Sequence, residues 1–231
     1  MEVTNINNMS GKRKEVLATN ETYHVFNRTI GGEEIFSGNI NMRRIMALTD
    51  YYRCPQKLSY SKFKNVLKNE EQIQYLKEVK SLAPLVEIYV FSFMPDHFHF
   101  LLRQNLDLGI RVFISNLQNA FAKYYNTKNE RQGSLFQKPF KAKRVSSDEI
   151  LLHVSRYIHL NPVTSYLVEY KNLQSFQWSS YQDYLGLKEN DLVNTKFILK
   201  ITGSKENYEK FVVNQVDYQR KLAKIKKFVH E

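Results

Sequence analysis

"LVEIYVFSFMPDHFHFLLR", residues 85 to 103, decides the fold. Its first half is a continuous apolar run rich in aromatic and β-branched residues, the composition of a long buried strand. Pro95 and Asp96 make a turn, and "HFHFLLR" returns as an antiparallel partner with period-two alternation. Successive side chains of a strand point to opposite faces, so His97, His99 and Leu101 share one face and Phe98, Phe100 and Leu102 the other. The phenylalanine face belongs to a core. The other face carries two imidazoles in an otherwise apolar strand.

Two neutral imidazoles at i and i+2 can ligate one divalent ion and leave its remaining positions open to substrate, which suits catalysis better than structure. The same pattern fits two hydrogen-bonded histidines at a sheet edge. A third ligand elsewhere in the chain would separate these readings.

On the N-terminal side, "TYHVFNRTI", residues 22 to 30, reads as a strand closed by a glycine pair. A mostly helical region follows, in which "SKFKNVLKNEEQIQYLKEVKSL" places Phe63, Val66, Leu67, Ile73, Leu76 and Val79 at mainly helical intervals and predicts a helix over 61–82. Beyond the histidine strand, Ile110, Phe113, Ile114, Leu117, Phe121 and Tyr124 mark an amphipathic helix over 106–126. "NERQGSLFQKPFKAKRV" supplies a glycine turn and then a basic extended segment. "SSDE", at 146–149, matches a capping box that opens another helix, expected to stop near Leu160 because Asn161 precedes a proline. A Trp-containing loop, "FQWSSYQDYLG", leads to further helical stretches and a lysine-rich tail, without internal repeats. The expected class is α+β, a small antiparallel sheet with helices on one side.

The bulk composition bounds the function. The 231 residues are 42% hydrophobic and 25% charged, ordinary for a globular chain long enough to bury a substantial core. Lys and Arg number 34 against 23 Asp and Glu, and the net charge of +11 favours a polyanionic partner, nucleic acid first, though charge alone fits a merely soluble basic protein equally well. Cys54 is the only cysteine, which excludes a disulfide framework and a cysteine zinc site and suits a reducing compartment, with the cytoplasm as the expected location. The polar start has no signal-peptide core, and no segment approaches the roughly 20 apolar residues of a membrane helix, so no membrane partner is expected.

"LLHVSRYIHLNPV", residues 151 to 163, offers the missing partners. At about 100° per residue, Tyr157 and Asn161 stand one turn apart on one helix face, His153 lies on its flank and His159 roughly opposite. A tyrosine can attack a phosphodiester and conserve the bond energy in a covalent phosphotyrosine. Its pKa of about 10 means that a metal or basic group must stabilise the phenolate or activate the phosphate. Tyr124 and Tyr125 compete on paper, but Tyr124 belongs to the apolar face of its own helix.

"FSFMPDHFHFLL" together with "YIHLNPV" resembles the single-tyrosine HUH transposases (U being a hydrophobic residue), and specifically their REP-associated tyrosine transposase branch. "TYHVFNR", "RQGSLFQKPFKAKRV" and "WSSYQDYLG" agree in the same order, so the resemblance covers roughly residues 20 to 186. It implies a ferredoxin-like HUH endonuclease fold over 20–186, preceded by a flexible basic arm at 1–19 and followed by a helical C-terminal extension at 187–231. It also implies His97 and His99 as metal ligands, Asn161 as the polar group completing the site, Mg²⁺ or Mn²⁺ as the ion and Tyr157 as the nucleophile. The products implied are a 5′-phosphotyrosine and a free 3′-OH, with rejoining by the reverse reaction. The substrate implied is single-stranded DNA bearing hairpins, and family members are homodimers or monomers. Arg28, Lys138, Lys141, Lys143 and Arg144, interleaved with aromatics, are the expected DNA contacts. Lys221, Lys224, Lys226 and Lys227 in the tail fit extra DNA contacts or a solvated helix end.

A domesticated hairpin-binding protein that keeps the fold without catalysis is the alternative, against which stands the presence of every expected active-site residue type. A two-histidine RNA phosphoesterase would need a second His-x-Ser/Thr-type motif facing the first, and no convincing partner motif appears. A replication initiator or relaxase shares the metal chemistry but not the chain length or motif order.

Overall fold

The computed structural model describes residues 15–188 and 191–215. Four strands form one sheet: β1 (Thr22–Arg28), β2 (Val86–Phe93), β3 (His97–Gln104) and β4 (Lys141–Val145). They lie in the order β2-β3-β1-β4 with every neighbour antiparallel. Helices α1 (Gly38–Tyr52), α2 (Tyr60–Val66) and α3 (Asn69–Lys80) join β1 to β2, and α4 (Gly109–Lys128) joins β3 to β4. This βαββαβ arrangement is the split, ferredoxin-like topology expected.

Alternation along β3 sorts the helices onto two sides. Phe100 meets Phe113 of α4 with ring centroids 5.6 Å apart, and α1 packs against α4 on that side. His99 instead meets α5 (Asp148–Thr164) on the opposite face. The expectation of helices on one side is therefore corrected. A sheet whose two faces both carry apolar residues must be covered twice, and Leu101 on the histidine face is as buried as Phe98 and Phe100 on the other.

Three local expectations also change. The predicted 61–82 helix is two helices, broken at Leu67, which is extended (ψ 136°). Glu71 caps the second by accepting from the Lys68 amide at 2.6 Å. Val66 and Ile73 lie exposed, whereas Phe63 and Val79 are buried. The amphipathic helix starts at Gly109 and runs to Lys128. Helix α5 is capped by Ser147, whose hydroxyl accepts from the Ile150 amide, and it continues through Pro162 to Thr164. A mid-helix proline costs about 3 kcal/mol. Leu160, Asn161, Pro162 and Val163 are all buried, and the burial of this last turn offsets that cost.

Two flanking segments complete the domain. Residues 178–180 pair with the free edge of β2, where the Phe93 amide donates to the Trp178 carbonyl at 2.9 Å and the Ser180 amide to that of Phe91 at 3.0 Å. That edge is thus covered rather than left as a template for association. Helices α6 (Tyr181–Leu185), α7 (Lys196–Thr202) and α8 (Lys205–Val213) follow, and α8 packs on α5. The described part of the arm is tied down: the Ala18 amide donates to the Tyr23 hydroxyl, and Gln104 donates to the Leu17 carbonyl. Residues 1–14 of the arm, and Lys221, Lys224, Lys226 and Lys227, lie outside the described residues. Among the described residues no helix is long and apolar enough to cross a membrane.

Candidate active site

The site is built where β1 and β3 run side by side. Their register sets Phe26 opposite His99 and Arg28 opposite His97, so His24, Phe26 and Arg28 share the histidine face. The first strand therefore contributes a third imidazole to the floor. His24 Nε2 lies 2.9 Å from His99 Nδ1, and the Phe26 ring stands 5.6 Å from that of His99. Nothing beyond the alternation of "TYHVFNR" marked His24, because its partner is distant in sequence.

Helix α5 closes the site from above. Tyr157 reaches the histidines of its own chain, its ring 5.5 Å from that of His99 and 5.9 Å from that of His24, edge-on to both. One turn later the Asn161 amide lies 3.4 Å from His99 Nε2. The predicted grouping of Tyr157 and Asn161 on one helix face is what the structure places over the histidines. His153 stays on the flank against Arg156, at 2.8 Å. His159 points away, fully buried, with Tyr208 and Ser180 hydroxyls at 2.7 and 2.8 Å. Tyr124 and Tyr125 belong to α4 across the sheet, where they hydrogen-bond Asn41 and Glu33.

The hydrogen bonds orient both histidines. His97 Nδ1 is engaged by the Asp96 carboxylate, which also ion-pairs with Arg28 at 3.4 Å, and this leaves His97 Nε2 unengaged by that pair. If the Asn161 amide donates to His99 Nε2, then His99 donates from Nδ1 to His24, and the Nε2 lone pair of His99 faces Asn161. Partners of this kind on the far nitrogen fix ring orientation in histidine metal sites.

Electrostatics keep His24 and His99 neutral. Burial, with the charges of its neighbours, holds the His99 pKa well below the ordinary value. Burial and the Lys143 ammonium bring His24 down to about 4. Burial raises the Tyr157 phenol above its usual value, opposed by the Asn161 amide and the Arg28 charge. Neutral imidazoles are the form that binds metal. Among the described residues no group of three or more His, Cys, Asp or Glu is arranged to hold an ion. The donor set here is two imidazoles and a neutral amide, which fits a divalent ion held loosely with positions left for a phosphate.

The basic residues separate by face. Lys141 pairs opposite Phe26 and Lys143 opposite His24, so both stand on the histidine face beside the site. Lys138 is exposed in the loop that feeds β4, and Arg28 is 58% exposed at the rim. Arg144 pairs opposite Tyr23, on the other face, and its guanidinium is bound by Glu21 at 2.6 Å.

Residues 57–161 match the model of the family described as transposase IS200-like. The segment begins ahead of α2 and ends on Asn161, so it contains both histidines of β3 and Tyr157. Over that segment the chain is similar to the IS200-like transposases, the superfamily its motifs resemble. A solved REP-associated tyrosine transposase bound to a REP hairpin is similar in structure, with a TM-score of 0.48 and 12% identity over 80% of this chain and 95% of that one. No curated protein matches the chain.

Proposed function

We propose that the chain is a metal-dependent single-stranded DNA endonuclease and transesterase of the REP-associated type, acting on hairpin-bearing DNA with Tyr157 as nucleophile. The observation that supports this most directly is the convergence of Tyr157 and Asn161 on His99, the tyrosine ring 5.5 Å from the imidazole and the amide 3.4 Å from its Nε2.

His97, His99 and Asn161 would hold Mg²⁺ or Mn²⁺, which when bound supplies Lewis-acid activation of the scissile phosphate. Asp96 and His24 hold the two imidazoles in register from their Nδ1 sides. Arg28, Lys141 and Lys143 line the approach and attract the phosphate backbone. The Tyr157 oxygen forms a bond to phosphorus as the bond from phosphorus to the 3′ oxygen breaks. The phenol gives up its proton and the departing oxygen takes one, leaving a 5′-phosphotyrosine and a free 3′-OH. Attack by a 3′-OH on the phosphotyrosine reverses each bond change and rejoins the strand. The phenol starts protonated because burial raises its pKa, so Arg28 and Asn161 matter as the groups that favour the phenolate.

Digestion of the trapped protein–DNA adduct and mass spectrometry of the peptides tests the assignment: the nucleotide adduct is expected on Tyr157, and an adduct on Tyr124, Tyr125 or any other residue would overturn it.

A further inference from the structure

On the far side of the sheet from Tyr157, α1, α2 and α4 enclose a cavity of about 600 Å³. Four cations line it, Arg44 from α1, Lys64 from α2, and Lys123 and Lys128 from α4. Among the described residues none of the four is ion-paired; Lys64 donates to the Gln72 side chain and Lys128 to that of Asn41, neither of which neutralises its charge. Among the described residues no carboxylate lines the cavity. Four like charges around one concavity repel each other, and a bound anion relieves that repulsion.

The remaining lining narrows the anion. The Arg44 guanidinium lies over the Tyr124 ring at 4.5 Å and the Tyr60 ring at 5.3 Å, so this cation is braced by two aromatic faces. Asn65, Asn116 and Asn119 add amides that both donate and accept, the groups that read base edges. The volume falls within the range of small-ligand clefts and exceeds what a bare phosphate needs. Cations, tyrosine rings and amides together match a nucleotide, with a phosphate for the charges and a base for the rings and amides. Lys64, Lys123 and Lys128 are exposed, so they are placed to follow neighbouring phosphates out of the cavity, as a strand requires and a free nucleotide does not.

We infer that this cavity holds one unpaired nucleotide of the DNA strand on which Tyr157 acts, anchoring the strand on the face of the sheet covered by α1 and α4. The inference rests on the reading of the chain as a single-strand DNA enzyme, and its test is separable from that reading because binding is measured without chemistry.

In EDTA and in a Tyr157→Phe background, anisotropy of a fluorescein-labelled oligo-dT of about 12 nucleotides would be compared between Lys64→Glu/Lys123→Glu and Lys62→Glu/Lys77→Glu. The second pair carries the same charge change on exposed lysines outside the cavity. All four lysines are exposed, so the fold should survive, and circular dichroism would confirm it. The cavity pair is expected to weaken binding about tenfold more than the control pair and to lower the salt slope by about 0.7 per lost contact. Equal losses in both pairs would overturn the proposal, because the charge would then act diffusely. A second arm uses dTMP alone: if it perturbs the Tyr60 and Tyr124 ring resonances while the two pairs bind oligo-dT equally, the occupant is a free nucleotide and the strand assignment is overturned. Loss of binding in the cavity pair sustains the proposal whether or not wild-type protein forms an adduct.

Discussion

His24 Nε2 lies 2.9 Å from His99 Nδ1, so the first strand of the fold sets the orientation of an imidazole that arrives 75 residues later. The pair explains why a histidine interrupts "TYHVFNR": it is the far-side partner that turns His99 toward Asn161.

His24→Phe should therefore weaken Mn²⁺ binding and metal-dependent cleavage by about 10–100-fold, the usual effect of losing a histidine's outer partner. The ring fills the same space but leaves the buried His99 Nδ1 without its partner, so a stability loss of about 1–3 kcal/mol should accompany it. Isothermal titration with Mn²⁺ checks this, and unchanged affinity would mean that the contact is only packing.

Removing His97 or its amide counterpart should act more severely. His97→Ala is expected to abolish metal-dependent cleavage while oligonucleotide binding persists, since Arg28, Lys141 and Lys143 remain to attract phosphate. Asn161→Ala should reduce cleavage and leave the fold intact apart from the lost contact to His99. Cleavage that proceeds equally in EDTA and Mn²⁺ would contradict both.

His159 gives a pH signature of the framework behind the site. It is fully buried between Tyr208 and Ser180, and burial lowers its pKa from 6.5 to about 3. Between those values the unfolded chain takes up a proton that the native state refuses, so stability falls as pH falls, by up to about 1.4 kcal/mol per unit. In His159→Gln this contribution is gone, and the stability gap between wild type and variant should narrow by roughly 2 kcal/mol from pH 7 to pH 5. Urea unfolding at the two pH values measures the gap, and a constant gap would refute the account.

Gly109→Ala sets propensity against packing. Alanine favours helix by about 1 kcal/mol over glycine. A Cβ at Gly109, however, would lie 2.2 Å from the Leu85 carbonyl oxygen, a backbone atom that cannot swing away. The close approach should win, with a net destabilisation of about 1–3 kcal/mol by denaturant titration. A stabilised variant would show that the junction between β2 and α4 is loose.

Local periodicity made much of this legible. Alternation placed His97 and His99 on one face, and helical spacing set Tyr157 with Asn161 and apart from His159, because both depend only on neighbouring residues. What depended on distant contacts was not visible. The Asn-Pro step signalled a helix end at 161, but tertiary burial of Pro162 and Val163 carries α5 onward and so keeps Asn161 helical over the site. Helices on both faces, the edge pairing of "WSS" with β2 and the role of His24 all require knowing which strands meet. The ion pair of Arg144 with Glu21 likewise removed one basic residue from the site face, since register decides the face.

The most direct measurement is covalent trapping: purified protein with labelled single-stranded hairpins from its own flanking DNA, in Mn²⁺ or EDTA, wild type beside Tyr157→Phe, on a denaturing gel. The account predicts an adduct with Mn²⁺ that disappears with EDTA and in the variant, while the variant still binds the hairpin. An adduct that persists in Tyr157→Phe, or hairpin binding by wild type with no adduct at any Mn²⁺ concentration, would contradict it, and the latter would make the chain a hairpin-binding protein that keeps the fold without the chemistry.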